Sequence, residues 1–160
     1  MTADKGRLIE IISRSAWRQT ESITLPSGVF FVPTPRFAEW VSTLSEDTDI
    51  VDCGCGMGVL ADSFRPRYVI SIDINEREGE RPGICHIDAA LYPFEKGSVA
   101  FFGRPCAGDW FDDTVYMALT RGARVFAATA KEKYLGDWKR TVVAENVGEA
   151  GETLWELTGD

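Results

Sequence analysis

From Asp52 to Gly58 the chain reads Asp-Cys-Gly-Cys-Gly-Met-Gly, an acid followed by glycines at every second position. Glycine adopts positive φ freely and lets a ligand come up against the backbone. Between a strand and a helix, such a turn also presents the free N–H groups of a helix N-terminus. Two further acids, Asp73 and Asp88, close short apolar runs at Tyr68–Ile72 and Ile84–Ile87. A third group of reactive types lies in Gly103–Trp110, where Arg104, Cys106 and Asp109 are the candidates for work on a substrate. Arg104 could hold a carboxylate or phosphate, or it could pair with Asp109, Asp112 or Asp113. His86, the one histidine, falls inside an apolar run and reads as a buried structural residue. Cys53, Cys55, Cys85 and Cys106 form no C-x-x-C pair, so they read as reduced thiols and no metal site is expected.

Elements to position these groups follow from the apolar spacing. Leu8, Ile11, Ile12 and Trp17 predict a helix over 5–20. Leu25–Gly28 reads as a turn and Val29–Val32 as a short apolar run. Thr34 as cap and Pro35 at the first position predict a helix to about Leu44, burying Phe37, Trp40, Val41 and Leu44. Strand and helix then alternate: strand 49–52, helix 59–64 stopped by Pro66, strand 68–73, loop 75–83, strand 84–88 and strand 98–102. Next come a helix from Asp109, as cap, to Arg121 with Gly122 as stop, and strand 123–129. A short helix at 132–138 precedes two strand-like runs, 141–147 and 152–158, joined at Gly148–Gly151. This order predicts an α/β fold, a Rossmann-like three-layer sandwich. Its mostly parallel sheet carries helices on both faces and a C-terminal antiparallel hairpin. One domain over residues 1–160 is expected, with 1–28 as an N-terminal helical extension.

With the elements in place, Val51–Gly58 resembles the first motif of class I S-adenosylmethionine-dependent methyltransferases. The resemblance covers roughly residues 29–158 in element order. It implies that Asp52, Gly54, Gly56 and Gly58 underlie the amino-acid part of the cofactor. Asp73 would accept the ribose hydroxyls and Asp88 would meet the adenine amine. Val32–Phe37 is loosely similar to the family's N-terminal cofactor motif. The family's nucleic-acid amino methyltransferases end the fourth strand in Asp/Asn-Pro-Pro-aromatic. Gly103-Arg104-Pro105-Cys106 has neither the acid or amide nor the aromatic. Pro105-Cys106 with Glu145-Asn146-Val147 is similar to the nucleophile and acid motifs of cytosine-C5 methyltransferases. Glu145, however, falls in the final hairpin, and the chain has no room for a target-recognition domain.

What the resemblance implies is a minimal S-adenosylmethionine-dependent methyltransferase acting on a small molecule or protein. Two alternatives stay open. One is a catalytically inactive cofactor-binding or interaction module, working with a partner subunit; the other is a nucleic-acid methyltransferase. Net charge bears on the last: 17 basic against 25 acidic residues give −8, the wrong sign for broad attraction to phosphates. A local basic patch stays open, since Arg65, Arg67, Arg77, Arg81 and Arg104 all fall in the middle of the chain. With no long apolar run and no signal-peptide core, no membrane partner is expected, and the expected location is cytoplasmic.

Overall fold

The computed structural model describes residues 3–64 and 67–159. In chain order the elements are α1 (Lys5–Thr20), β1 (Thr24–Leu25), α2 (Pro35–Ser42), β2 (Ile50–Cys53), α3 (Val59–Ser63), β3 (Val69–Ile72) and β4 (Glu76–Arg77). They continue with β5 (Val99–Gly103), α4 (Asp109–Thr120), β6 (Arg124–Thr129), β7 (Lys139–Ala144) and β8 (Thr153–Thr158). Six strands form one sheet in the order β3-β2-β5-β6-β8-β7. The first four are parallel, and β8 runs antiparallel to both neighbours. This is the Rossmann-like sandwich and closing hairpin that the sequence predicts.

Alternation along the central strands decides which layer each residue joins. Val99 and Phe101 on β5, with Phe126 and Ala128 on β6, face Phe37, Trp40 and Val41 of α2 and Leu60 and Ala61 of α3. Ala100 and Phe102, with Val125 and Ala127, face Phe111, Val115 and Ala118 of α4. Large rings therefore fill the α2 side, where Phe101 lies 5.0 Å from Phe37 and Trp40 lies 4.7 Å from Phe126, centroid to centroid.

α1 is a layer outside α4. It buries only Ile11 and Ser15, with Ile11 meeting Tyr116, Met117 and Ala90. Ile12 and Trp17, expected on its inner face, are mostly exposed. What fixes α1 is electrostatic. Arg14 forks onto Asp113 at 2.8 and 3.0 Å, and Arg18 bridges Asp113 at 3.0 Å and Asp88 at 2.8 Å. Burial alone would raise the pKa of Asp113, but the two guanidiniums outweigh it and hold the group below the usual carboxylate range. Asp113→Asn should therefore cost about 2 kcal/mol at pH 7, read from urea midpoints. A depressed pKa gives stability that is present above the unfolded value and lost as pH falls through the folded one. The wild-type advantage should accordingly disappear in acid.

Several expectations are corrected. Residues 84–88 are not a strand: only Cys85 meets Ile72, as a single bridge. Pro82-Gly83 breaks the run before it, and Asp88 is drawn inward as the cap of a 3-10 turn over Ala89–Leu91. The loop expected at 75–83 contains β4, paired in parallel with β1. Residues 29–32 form an extended strap, clamped by the final hairpin through Thr34 N–H to the Val147 carbonyl and Glu149 N–H to the Val32 carbonyl, both 2.9 Å. Thr34 makes no side-chain cap, because its hydroxyl donates to the Asn146 carbonyl instead. Gly108, not Asp109, precedes α4 as its cap. Residues 132–135 form a 3-10 turn rather than an α-helix. The expected stop at Pro66 and the basic residue Arg65 lie outside the described residues.

Candidate functional site

The glycine turn leaves β2 with positive φ at Gly54, Gly56 and Gly58, of 74°, 58° and 81°. Gly54 and Cys55 both donate to the Ile72 carbonyl, at 2.8 and 2.9 Å, so the turn is tied to the end of β3. A Cβ on Gly54 would sit 3.1 Å from the Trp110 ring, and one on Gly58 only 2.6 Å from Arg81 Cγ. Strained φ and lack of room both require glycine at these two positions.

Asp73 stands directly over the turn. Its Oδ2 accepts from Gly56 N–H at 2.9 Å and its Oδ1 from Asn75 N–H at 3.0 Å. A carboxylate has about four lone-pair sites, so both oxygens keep capacity for a ligand. Asp52 is different. It is 5% exposed and takes no hydrogen bond from any described residue. Burial first, and the Asp73 charge second, push its pKa up to about 7. Burial likewise drives the thiols of Cys53 and Cys55 upward, with Asp52 adding to it.

Two adjoining spaces open here. The larger, about 650 Å³, is walled by Cys53, Gly54, Asp73 and Ile74 on one side and by Phe102–Cys106 and Trp110 on the other, with Trp17 and Arg18 of α1 also lining it. The smaller, about 40 Å³, lies between the glycine turn, Asp52 and the strap from Gly28 to Phe31. Both touch Gly54 and Gly103. The larger volume is of the size that small-molecule sites occupy.

Of the predicted residues, Gly54, Gly56, Asp52 and Asp73 come together, and Arg104 and Cys106 line the larger space, whereas Gly58 lines neither and packs toward Arg81. Asp88 does not join them. It is 0% exposed, with Oδ2 on Arg18 and Oδ1 on Ala90 N–H. Its carboxylate is the cap and ion-pair partner of its own segment, because the strand that would have presented it is missing. Asp109 and Glu145 are likewise not among the residues lining either space. Arg104 pairs with none of Asp109, Asp112 and Asp113. It donates to the Phe30 carbonyl at 2.9 Å, and its nearest carboxylate is Glu152 at 3.8 Å. His86, expected to be buried, is exposed. Its ring lies 2.8 Å from the Asp73 carbonyl and 2.8 Å from Glu80. Burial lowers its pKa, but these acceptors outweigh it and the net shift is upward.

Arg77, which in the sequence stands out only as one basic residue of a polar loop, is a further residue of the site. Arg77 lines the larger space. One nitrogen donates to the Pro26 carbonyl at 3.2 Å, and the guanidinium lies 5.1 Å from the Phe30 ring centroid. Its Nε is enclosed, without a partner, 3.8 Å from where a Cβ on Gly56 would be. Of the other arginines that a local basic patch would draw on, two are engaged elsewhere. Arg67 holds the carbonyls of Leu44, Ser45 and Thr48, and Arg81 pairs with Asp62. Among the described residues, no group of three or more His, Cys, Asp and Glu could hold a metal, and no helix is long and apolar enough to cross a membrane.

No family model matches the sequence, and no curated protein matches it. Solved structures do share its shape. The Escherichia coli protein yhhF, assigned as a methyltransferase, aligns with TM-score 0.50 at 13% identity, over 76% of this chain and 82% of its own. A DhpI–SAM–HEP complex aligns with TM-score 0.42 at 15% identity, over 99% of this chain and 84% of its own. At these identities what is shared is the fold. Four parallel strands closed by an antiparallel hairpin make it a Rossmann-like sandwich.

Proposed function

We propose that the chain binds S-adenosylmethionine across the two adjoining spaces and transfers its methyl group to a small-molecule or protein acceptor. The observation that carries this is a pair of unpartnered polar groups at the glycine turn. Arg77 has an enclosed donor without a partner, and Asp52 is a buried acid without one. A zwitterionic amino-acid head group would satisfy both at once, its carboxylate toward Arg77 and its ammonium toward Asp52. Asp73 keeps lone pairs for a ribose diol. The adenine would lie past Ile74 without the help of Asp88.

The ligand supplies the activated methyl group. The chain's own contribution is alignment of donor and acceptor in a partly enclosed, low-dielectric site. The strap lines the smaller space and α1 the larger, and Trp110 packs edge-on to Phe102 at 5.7 Å, giving the wall a fixed shape. Isothermal titration with S-adenosylmethionine and S-adenosylhomocysteine tests this, and saturable binding of both is expected. A folded protein that binds neither would end the reading. Label transfer from methyl-labelled cofactor into cell extract, lost in Asp73→Asn, separates an enzyme from a binding module.

A further inference from the structure

The wall at the end of β5 lies across the glycine turn from Asp73, since β2 sits between β3 and β5. On the cofactor reading it faces the methyl acceptor, and two arginines with spare donors line the space there, Arg104 just past β5 and Arg18 from α1. Arg104 is held at φ 56°, uncommon for a residue with a side chain and held at some cost in strain. Its backbone N–H bonds the Ala128 carbonyl. Its guanidinium makes one hydrogen bond, to Phe30, and its side chain is 47% exposed. Arg18 uses Nε on Asp88 and Nη1 on Asp113, leaving Nη2 enclosed and without a partner. Phe102, Trp110, Pro105 and the mostly exposed Trp17 complete that wall.

Bases are scarce there. Among the described residues lining the cavity there is no histidine, lysine or tyrosine. The carboxylates are Asp73, on the opposite wall and bonded to Gly56 and Asn75, and Glu21, just past α1. An acceptor that must first lose a proton finds no placed general base at the end of β5. An acceptor oxygen that is already anionic needs none, and a guanidinium suits a carboxylate.

We propose that the methyl acceptor is a small aromatic or apolar carboxylate, aligned by Arg104 and Arg18 against Trp110 and Trp17 and methylated on its carboxylate oxygen. A lone pair of that oxygen forms the O–CH₃ bond as the methyl–sulfur bond breaks and its electron pair stays on sulfur. A neutral ester and a thioether result, and no proton moves. This inference rests on the cofactor reading.

The test uses the full chain saturated with S-adenosylhomocysteine, titrated with phenylacetate and with its neutral isostere phenylacetamide. Phenylacetate should bind at least tenfold more tightly, and the gap should close in Arg104→Gln while S-adenosylhomocysteine affinity holds. Because Arg104→Gln strips the buried Glu152 of its nearest cation, Arg104→Gln/Glu152→Gln serves as a second variant and must lose the preference as well. With labelled S-adenosylmethionine, the product label should be released by alkali, as an ester requires. Equal affinity for the two probes, a preference that survives both variants, or an alkali-stable product overturns the proposal. So does loss of transfer in Cys106→Ser with phenylacetate affinity intact, which would make that thiol a base. A wild type that fails to bind S-adenosylhomocysteine overturns the cofactor reading instead.

Discussion

Asp52→Asn is expected to stabilise the fold at pH 8 by up to about 4 kcal/mol. The carboxyl is buried, receives no hydrogen bond from the described residues and lies near Asp73, so ionising it inside the fold is unfavourable. Its folded pKa is about 7, against 3.8 for the ordinary group. A raised pKa gives a stability contribution that is fully present below the unfolded value and is lost as pH rises through the folded one. The wild type should therefore lose stability between about pH 4 and pH 7 from this group, while the variant should not. Near pH 4 the two should differ by well under 1 kcal/mol. Urea denaturation of both proteins at a series of pH values reads the difference directly, and parallel profiles would refute the assignment. The same substitution should weaken S-adenosylhomocysteine binding, since a cationic head group is what would favour the ionised acid. A carboxyl that costs the empty fold stability at neutral pH is a candidate for ligand binding, and the titration tests Asp52 for it.

The fold was legible because its signals are local. Ile50–Cys53 and Val99–Gly103 are short apolar runs bounded by turn residues, and such runs read as strands buried on both faces. Asp52–Gly58 states in its own composition that the backbone must take positive φ. What was not legible depends on partners distant in sequence. Ile84–Asp88 has the composition of a strand, yet Asp88 is claimed by Arg18, 70 residues earlier in the chain. That pairing turns the acid away from the cavity. Ile12 and Trp17 have helical spacing, but α1 is held by ion pairs and needs only Ile11 inside. His86 sits in an apolar run whose neighbours do not form the strand that would have buried it. Arg77 carried no signal beyond being basic. Its place over Gly56 follows from the β1–β4 pairing, two residues on each side, which composition does not announce.

Arg77→Gln should weaken S-adenosylhomocysteine binding by about 10- to 100-fold, the effect of losing one charge-assisted contact to a carboxylate. It should change the affinity for 5′-methylthioadenosine, which lacks the amino-acid head, by less than about twofold. That contrast separates a direct contact from a structural role. If Arg77 merely held the strap through Pro26 and the Phe30 ring, both ligands would lose affinity together, because the strap beside the glycine turn would loosen for either. Arg77→Lys should fall between wild type and Arg77→Gln for S-adenosylhomocysteine. It keeps the charge, but an ammonium cannot reproduce the planar donor edge that leaves Nε facing the turn. The three affinities, measured by titration calorimetry against both ligands, also bear on Asp52. Arg77 and Asp52 flank the same glycine turn, and a zwitterion that engages both makes their effects coupled. Arg77→Gln/Asp52→Asn should consequently lose less than the sum of the single losses. Additive losses would place the two residues in separate roles and leave the head group without its paired recognition.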